Sequence, residues 1–345
     1  MIVTYIRSSS YNNYDYCEMQ YFITYVLGHT SSSNKKAQLG TIVHKVMECL
    51  AACKKKLQDE QDEKSLFIND DAVGKINFTP KNLFTKAFVL KLLDLSYDYY
   101  TSNCIHKYIP ADKKFCKELV DMALDYNNGQ FDPRNRKIVD TEPHFDIPIN
   151  KDWAKFKYNI NGEEVEGQLA IKGTIDLVTE VADGIIEVID WKTGQRKNWA
   201  TGEEKTYEKL IEDPQLLLYN YAISQLYPNY QQAIMSIFFI RDGGPFSMCF
   251  DKSDQEKFLG MLEKRFLEIK NNTKPKPCSQ NRTNFKCTKL CDFYKKTWPG
   301  TNISICEHVE EHLKTFGHDA TVEKCTKQGH NIGYYSAPGD INGGT

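Results

Sequence analysis

The 345-residue sequence has no long apolar run and no excess of charge of one sign. A bilayer-spanning helix needs about 20 consecutive apolar residues, so we expect no membrane segment. The N-terminal residues also lack the basic and apolar regions of a secretory signal. These absences predict a cytoplasmic protein that is not secreted. A composition of 41% hydrophobic and 26% charged residues excludes collagen-like, coiled-coil and wholly disordered chains.

The charge balance excludes a polyanionic partner recruited by bulk charge alone. Lys and Arg number 44 against 46 Asp and Glu, which gives a net charge of -2. A role in nucleic-acid binding therefore needs a local site. Cysteine is the residue in surplus, with an odd count of 11. In a reducing compartment such a count favours free thiols and a metal site over a disulfide framework.

The chain divides by pattern into five parts. Apolar periodicity predicts helices over residues 10–27, with Cys17 on the buried face, and over 39–50, with His44 beside the apolar stripe. Residues 54–79 are charged and irregular, and two more amphipathic helices follow up to about residue 127. The predicted parts are 1–53 (N-terminal helices), 54–130 (helical insertion), 131–272 (core), 273–316 (cysteine-rich segment) and 317–345 (a partly disordered tail).

The core segment changes from helical to strand-like periodicity. From Lys137 to Lys192, short apolar stretches alternate with turn dipeptides such as Asn161-Gly162, and an antiparallel meander is the simplest arrangement. A helix around Pro214, a buried strand over 233–240 and a capped helix over 253–270 complete it. The chain from Thr273 to Cys306 is predicted to be irregular.

The residues most informative about the chemistry of the site are two carboxylates at the ends of adjacent predicted strands. Asp176 and Asp190 are embedded among β-branched and aromatic residues, where a carboxylate is costly to bury unless it is paired or bound to a metal. Because side chains alternate along a strand, Asp190 and Lys192 point to the same face. The spacing thus predicts a hard oxygen ligand beside a cation.

These residues resemble the PD-(D/E)XK nuclease superfamily, and its RecB-like branch in particular. Gly173-Thr174-Ile175-Asp176 and Asp190-Trp191-Lys192-Thr193-Gly194 match the core motifs of that branch. Further matches follow in the expected order: His44 in Leu39-Gly40-Thr41-Ile42-Val43-His44, Gln215 and Tyr219 one helical turn apart, and Glu142 at the opening of the first strand. Each match alone is weak, but their joint order is specific.

The resemblance implies an α/β (α+β-like) fold with a restriction-endonuclease-like core, in which helices flank a central mixed sheet. It also implies that His44, Asp176, Asp190 and the Trp191 carbonyl hold Mg²⁺ or Mn²⁺. Lys192 would orient the attacking water and stabilise developing charge. Gln215 and Tyr219 would support Lys192 or contact DNA.

The cysteines near the C-terminus resemble the segment that closes the iron–sulfur members of this branch. The implied ligands of a [4Fe–4S] cluster are Cys17, Cys287, Cys291 and Cys306, with Cys278 as the alternative fourth ligand. The spacing departs from the family, because three residues separate Cys287 from Cys291 and Thr297 stands where a third cysteine is expected. A structural Zn²⁺ site of Cys287, Cys291, Cys306 and His308 stays open. The remaining thiols are interpreted as incidental: Cys49, Cys53, Cys104, Cys116, Cys249 and Cys325.

Two segments carry a local excess of basic residues. Residues 274–296 contain seven Lys or Arg and one acid, and residues 35–56 contain six Lys and one acid. With Lys192, Arg196 and Lys197 they are expected to line a basic channel for a single strand, although a solvated charged face explains either segment alone.

The function implied by the resemblance is a metal-dependent deoxyribonuclease, most plainly a single-strand exonuclease. The alternatives are a DNA end-processing nuclease of the CRISPR-adaptation type and a non-catalytic DNA-binding or assembly module. The sequence has no Gly-x-x-x-x-Gly-Lys-[Ser/Thr] motor motif, so any helicase partner is expected to be a separate chain. A phage or other viral source, acting in the host cytoplasm, fits such a free-standing nuclease.

Overall fold

The computed structural model describes residues 1–31, 34–60, 65–102, 104–160, 162–197 and 202–332. The α-helices are α1 (Ser8–Tyr16), α2 (Glu18–Tyr21), α3 (Lys35–Asp59), α4 (Pro80–Leu83), α5 (Lys86–Ser102), α6 (Pro110–Asp125), α7 (Tyr207–Leu210), α8 (Pro214–Leu226), α9 (Lys252–Asn271), α10 (Asp292–Lys295) and α11 (Ile305–Cys325). Two π-helical turns span Phe22–Val26 and Lys286–Leu290, and short 3₁₀ turns span Tyr126–Asn128, Pro133–Asn135 and Asp152–Ala154. No helix in these ranges is both long and apolar enough to cross a membrane.

The strands are β1 (Tyr5–Ile6), β2 (Leu66–Asp70), β3 (Gly74–Phe78), β4 (Lys137–Thr141), β5 (His144–Pro148), β6 (Lys155–Ile160), β7 (Glu163–Gln168), β8 (Ala170–Thr174), β9 (Leu177–Ala182), β10 (Ile185–Lys192), β11 (Gln232–Phe239) and β12 (Gly244–Cys249). The central sheet has the order β12-β11-β10-β9-β4. Strands β10 and β11 run parallel, and the other neighbours in this sheet are antiparallel.

The middle strand β10 is buried on both faces, which explains its nearly continuous apolar sequence. Ile186 and Val188 pack into one hydrophobic core, whereas Ile189 and Trp191 pack into the other. The first core includes residues of α8 and α9, and the second includes residues of α3, α5 and α6. The fold is therefore a mixed sheet between helical layers, as the sequence predicts.

The prediction of one antiparallel meander between Lys137 and Lys192 is wrong. Strands β5 and β8 join β1 in a separate three-stranded sheet, and β6 and β7 form their own hairpin. The pairs β4–β9 and β5–β8 meet at a bend, where the Glu142 N–H donates to the Asp176 carbonyl over 3.2 Å. Glu142 has a φ of 49°, in the left-handed region. This bend redirects the strand pair and brings Asp176 to the junction of the two sheets.

The N-terminal half departs from the predicted arrangement in two places. The helix predicted over residues 10–27 breaks at Cys17, whose φ of -167° and ψ of 109° are extended. The segment 54–79, predicted to be irregular, contains the end of α3 and the β2–β3 hairpin. Leu66, Ile76 and Phe78 bury the inner face of this hairpin in the core that includes α3. The alternating apolar pattern of these strands was present in the sequence.

The C-terminal part is more helical than predicted. α10 interrupts the irregular segment 273–306, and α11 crosses the predicted boundary at residue 317. Gly317 has a φ of 83° and kinks α11 at this point, which explains why the sequence pattern changes there. Most of the Gly/Pro-rich tail, residues 333–345, lies outside the described residues.

Candidate active site and cysteine cavity

A polar cleft lies where α3 meets the strand bend. The cleft has a volume of about 400 Å³ and is lined by Ala37, Gly40, Thr41, His44, Lys45, Glu48, Tyr100, Glu142, Asp176 and Thr193. The lining residues of α3 recur every three or four positions, so they share one helix face. This face presents His44 toward the end of the central strands.

Asp190 and Lys192 form an ion pair at the end of β10. The Lys192 Nζ lies 2.6 Å from the Asp190 Oδ2, and the Asp190 side chain is only 3% exposed. Burial and the nearby Asp176 carboxylate raise the pKa of Asp190 against the opposing effect of Lys192. Burial by itself lowers the pKa of Lys192, but the two carboxylates outweigh it and raise that pKa. Lys192 is therefore a cation at neutral pH.

Asp176 contacts both α3 and β10. Its Oδ2 lies 3.4 Å from the His44 Nδ1 and accepts a 2.8 Å hydrogen bond from the Trp191 N–H. Although burial opposes ionisation, His44 and Lys192 lower the pKa of Asp176. Likewise, the Asp176 carboxylate overcomes burial and raises the pKa of His44. The two carboxylates at the strand ends thus share one site with an imidazole.

Gln215 and Tyr219 fix the orientation of Asp190 from α8. The Asp213 side chain caps this helix and Pro214 follows as its first residue, which places Gln215 in the first turn. The Gln215 Nε2 donates to the Asp190 Oδ1 and to the Tyr219 hydroxyl, each over 3.0 Å. The Tyr219 hydroxyl donates to the Thr174 carbonyl, also over 3.0 Å. These hydrogen bonds link α8 to β8 and to β10.

Glycine is required at two close approaches around the site. A Cβ on Gly40 would lie 2.7 Å from the Thr193 Oγ1, so the absence of a side chain lets α3 approach the residue after Lys192. A Cβ on Gly173 would lie 2.5 Å from the Phe145 ring. Both glycines belong to the motifs quoted from the sequence, and their role is to permit close packing.

The sequence motifs assign no chemical role to two acidic residues of the cleft. Glu48 follows His44 by one helical turn, so the i, i+4 spacing could have identified it. Glu142 follows β4 and occupies the bend, so its predicted position at the opening of the first strand is wrong. Burial, with Asp176 and Glu48 nearby, raises the pKa of Glu142 to about 8. Burial also raises the pKa of Glu48 despite the Lys45 ammonium 2.7 Å away.

The donor set suits a hard divalent cation. An imidazole and two carboxylates come together from three elements, and carboxylates outnumber ammonium groups around them. Apart from the Lys192 ammonium 2.6 Å away, the buried Asp190 Oδ2 has no hydrogen-bond partner among the described residues. Among those residues, no three His, Cys, Asp or Glu side chains are already arranged as a coordination shell. Side-chain adjustment would therefore accompany metal binding.

Five thiols line a second, enclosed cavity. Its lining includes Cys17, Cys278, Cys287, Cys291 and Cys306. The Cys17 thiol accepts a 3.4 Å hydrogen bond from the Gln20 N–H, and the Cys278 and Cys287 sulfurs are 3.5 Å apart. The Met19 N–H donates to the Lys276 carbonyl over 3.0 Å, which joins the N-terminal helices to the cysteine-rich segment. Both candidates for the fourth cluster ligand thus lie at the same cavity.

Burial is the largest influence on the pKa values of four thiols at this cavity. Burial raises the pKa of Cys17 and of Cys287 to about 12. It also raises the pKa of Cys291 and of Cys306, although Arg282 opposes the shift at Cys306. His308, the fourth residue of the zinc alternative, stacks on Trp298 at a centroid distance of 4.2 Å and is not among the residues lining this cavity. Cys49, Cys53, Cys116 and Cys325 are buried elsewhere, Cys104 is half-buried and Cys249 is exposed.

The predicted basic channel is divided in the structure. In the described residues, segment 35–56 borders the polar cleft, whereas Lys274, Lys276 and Arg282 line a separate cleft of about 830 Å³. Many of the charges are internally paired: Lys35 with Asp112, Lys45 with Glu48 and Asp70, Lys55 with Asp140, Lys56 with Glu60, Arg196 with Glu204, and Arg282 with Glu310. The cysteine-rich segment contacts α2, where the Met19 N–H donates to the Lys276 carbonyl.

The chain matches the family model of the PD-(D/E)XK nuclease superfamily over residues 8–295. Because the match covers most of the 345 residues, the chain belongs to the PD-(D/E)XK nuclease superfamily. The matched range contains His44, both strand-end carboxylates and Lys192, and it ends between Cys291 and Cys306. No curated protein sequence matches the chain.

Two solved structures are similar to the chain at low identity. One is a crystal structure of a candidate exonuclease from Eubacterium rectale, with 11% identity and a TM-score of 0.42, covering 88% of this chain and 92% of that one. The other is the crystal structure of SSO0001, with 14% identity and a TM-score of 0.22, covering 67% of this chain and 87% of that one.

Proposed function

We propose that the chain is a divalent-metal-dependent deoxyribonuclease of the RecB-like iron–sulfur branch, which degrades single-stranded DNA from an end. The observation that carries the proposal is the buried Asp190–Lys192 ion pair, with Gln215 bound to Asp190 and the His44–Asp176 contact beside it. Membership of the nuclease superfamily supports the reaction class. The preference for single strands and free ends rests on the resemblance to iron–sulfur exonucleases.

His44, Asp176 and Asp190 would hold Mg²⁺ or Mn²⁺. When bound, such an ion supplies Lewis acidity at a phosphate oxygen and a water of lowered pKa. Its charge would also offset the neighbouring carboxylates, which act together with burial, the larger cause, to raise the pKa of Glu142 to about 8. Glu48 and Glu142 are close enough to influence this charge balance, and both line the cleft.

The side chains of the protein supply the hydrogen bonds and the positioning that the reaction also requires. Lys192 would donate hydrogen bonds from its ammonium to the attacking water or to a phosphate oxygen, because the Asp190 and Asp176 carboxylates raise its pKa. Gln215 is a positioning residue that fixes the Asp190 carboxylate, and Tyr219 holds Gln215 against the Thr174 carbonyl. His44 and Asp176 hold each other in place across α3 and the strand bend.

The cysteine cavity supports a second part of the proposal, a [4Fe–4S] cluster that links the two ends of the chain. Cys17, Cys287 and Cys291 would supply three ligands, and Cys278 or Cys306 would supply the fourth. An all-thiolate set suits iron–sulfur chemistry, and the stacking of His308 on Trp298 gives the zinc alternative less support. The cluster would have a structural role.

The activity is tested with end-labelled single-stranded DNA and Mg²⁺ or Mn²⁺. Asp190→Ala and Lys192→Ala are expected to lower the cleavage rate at least about 100-fold. Lys137→Ala is the control, because Lys137 pairs with Glu180 on an exposed surface. Equal rates in all four proteins would contradict the mechanism. A wild-type protein that binds DNA without cleaving it would support the non-catalytic module.

The length of the products tests whether DNA is degraded from an end, and the metal content of the protein tests for the iron–sulfur cluster. An exonuclease releases short products from a labelled end, whereas internal fragments would contradict end-dependent degradation. Protein purified without oxygen is expected to be brown and to contain iron and sulfide. A colourless protein with stoichiometric zinc would contradict the cluster.

A further inference from the structure

Tyr100 supplies an aromatic ring to the wall of the nuclease cleft. The residue belongs to α5, in the helical insertion, whereas the carboxylates opposite come from the strand bend. The other lining residues are polar or small. The insertion therefore contributes directly to the cleft, and its contribution is an aromatic surface.

The position of Tyr100 is fixed by its neighbours. The Gln38 Nε2 donates to the Tyr100 carbonyl over 2.7 Å, and the Tyr108 hydroxyl donates to the Gln38 Oε1 over 2.7 Å. The Tyr99 ring packs edge-on against Tyr100, with centroids 5.1 Å apart and an interplanar angle of 89°. These contacts tie the end of α5 to the start of α3, one face of which carries His44. An aromatic ring held in this way is preorganised for stacking.

The charge of the cleft indicates which part of a nucleotide this ring contacts. Of the residues that line the cleft, Asp176, Glu142 and Glu48 outnumber the one lysine, and the ammonium of that residue, Lys45, is already 2.7 Å from Glu48 and 2.9 Å from Asp70. A phosphate beyond the one at the reaction centre is disfavoured there. A base carries no charge and stacks on aromatic rings whatever its identity.

We propose that Tyr100 is a stacking surface for an unpaired base beside the scissile phosphate, and that this contact makes the enzyme prefer a single strand to a duplex. The inference rests on the proposed nuclease function and adds a specificity-determining residue to it. A cleft of about 400 Å³ has the size of a small-ligand pocket. It admits a nucleotide whose base is free, whereas a base in a duplex is already paired and stacked.

The first test measures kinetics on a single strand and on a duplex of the same sequence. Tyr100→Leu is expected to raise the single-strand KM about tenfold, because stacking on a side chain contributes substantially to binding of each base. The kcat on the single strand should change by less than about twofold, and the KM and kcat on the duplex should not change. The ratio of single-strand to duplex kcat/KM should therefore fall. Tyr100→Phe should restore wild-type values. Tyr207→Leu is the matched control, since the Tyr207 ring is 44% exposed and lies outside the cleft lining.

The second test needs no variant of Tyr100. Single strands with one abasic nucleotide, placed in turn at each position near the cut, are given to the wild-type protein. At one position the missing base should raise KM about tenfold, and Tyr100→Leu should add little to that loss. A 2-aminopurine at the same position should be quenched on binding to Lys192→Ala protein, and the quenching should disappear when Tyr100→Leu is added.

The outcomes separate this inference from the proposed function. If the wild-type protein cleaves DNA but abasic positions, Tyr100→Leu and 2-aminopurine all have no effect, the stacking role is overturned and the nuclease stands. If the wild-type protein cleaves no DNA, the proposed function fails, and quenching that depends on Tyr100 would still support base stacking. If Tyr100→Leu does not fold, the abasic series on the wild-type protein decides the question.

Discussion

The nuclease cleft and the cysteine cavity hold their polar groups in different ways. Asp176, which lines the cleft, is bound by His44 and the Trp191 N–H, and Asp190 beside it is bound by Lys192 and Gln215. In the cavity, buried thiols face one another, and burial raises the pKa of Cys17 and Cys287 to about 12. Thiols are weak hydrogen-bond partners. The polar groups of the cleft are therefore held by ion pairs and hydrogen bonds, whereas the cavity brings together groups that form weaker hydrogen bonds.

Because of this difference, substitutions in the cleft and substitutions in the cavity are expected to have different effects. Changes in the cleft should reduce metal binding and cleavage while the fold survives, because the surrounding hydrogen bonds are distributed over several elements. Changes in the cavity should reduce stability, because a cluster would join α1, α2 and the C-terminal segment. Each prediction below tests one side of this contrast.

The largest effect is expected for Asp190→Asn. The amide keeps the shape of the carboxylate but removes its charge, so Mn²⁺ affinity should fall at least tenfold and the cleavage rate about 1,000-fold. The melting temperature should stay within a few degrees of the wild type, because the buried charge is removed together with its desolvation cost. Calorimetric Mn²⁺ titration and end-labelled DNA check these values. Retained cleavage would remove Asp190 from the mechanism.

The next largest effect is expected for Cys287→Ser. Loss of a cluster ligand should abolish the iron–sulfur absorbance and lower the melting temperature by roughly 5 °C or more. Cys249→Ser is the matched control, because the Cys249 thiol is exposed and far in sequence from the cavity residues. Equal melting temperatures and absorbance for both variants would show that the cavity holds no structural cluster.

Gln215→Ala should have an intermediate effect. The substitution removes the hydrogen bonds to Asp190 and Tyr219, and the loss of such a supporting contact lowers metal affinity or activity about 10- to 100-fold. Gln225→Ala changes an exposed residue on the same helix and controls for helix propensity. Steady-state cleavage rates at several Mn²⁺ concentrations distinguish weaker metal binding from a slower reaction. A rate equal to that of Gln225→Ala would exclude the positioning role.

The smallest effect is a pH dependence from Glu142. Its pKa is raised from 4.5 to about 8 in the folded protein, so the folded state binds more protons than the unfolded state between these values. Stability of the metal-free protein should therefore fall as pH rises from about 4.5 to 8. Glu142→Gln should flatten this slope, and Mg²⁺ should reduce it in the wild type. Melting temperatures measured from pH 5 to 8.5, with and without Mg²⁺, provide the comparison.

The strand motifs predicted much of the cleft because each depends on local periodicity. Asp190 and Lys192 share a face through strand alternation, and Gln215 and Tyr219 share one through helical spacing. The same helical spacing could have identified Glu48 from the sequence. Tyr100 was not, because its position depends on how α5 packs against α3, and no local pattern in the sequence specifies that packing.

The bend at Glu142 explains why the sheet topology was predicted less well. A single residue with positive φ divides one strand pair between two sheets, and glutamate gives no signal for that conformation. The cysteine ligands show a similar limit. The order of the cysteines in the sequence could not decide between Cys278 and Cys306 as the fourth ligand. Cys278 precedes Cys287 and Cys306 follows Cys291, yet both line the same cavity.

The most direct test of the central claim compares Asp190→Asn with Cys287→Ser on one preparation of end-labelled single-stranded DNA. Cleavage is measured with Mg²⁺ and normalised to the folded fraction from thermal melting. Asp190→Asn is expected to be folded and inactive, whereas Cys287→Ser is expected to lose stability, with its folded molecules still cleaving DNA. Wild-type cleavage by folded Asp190→Asn would contradict the account.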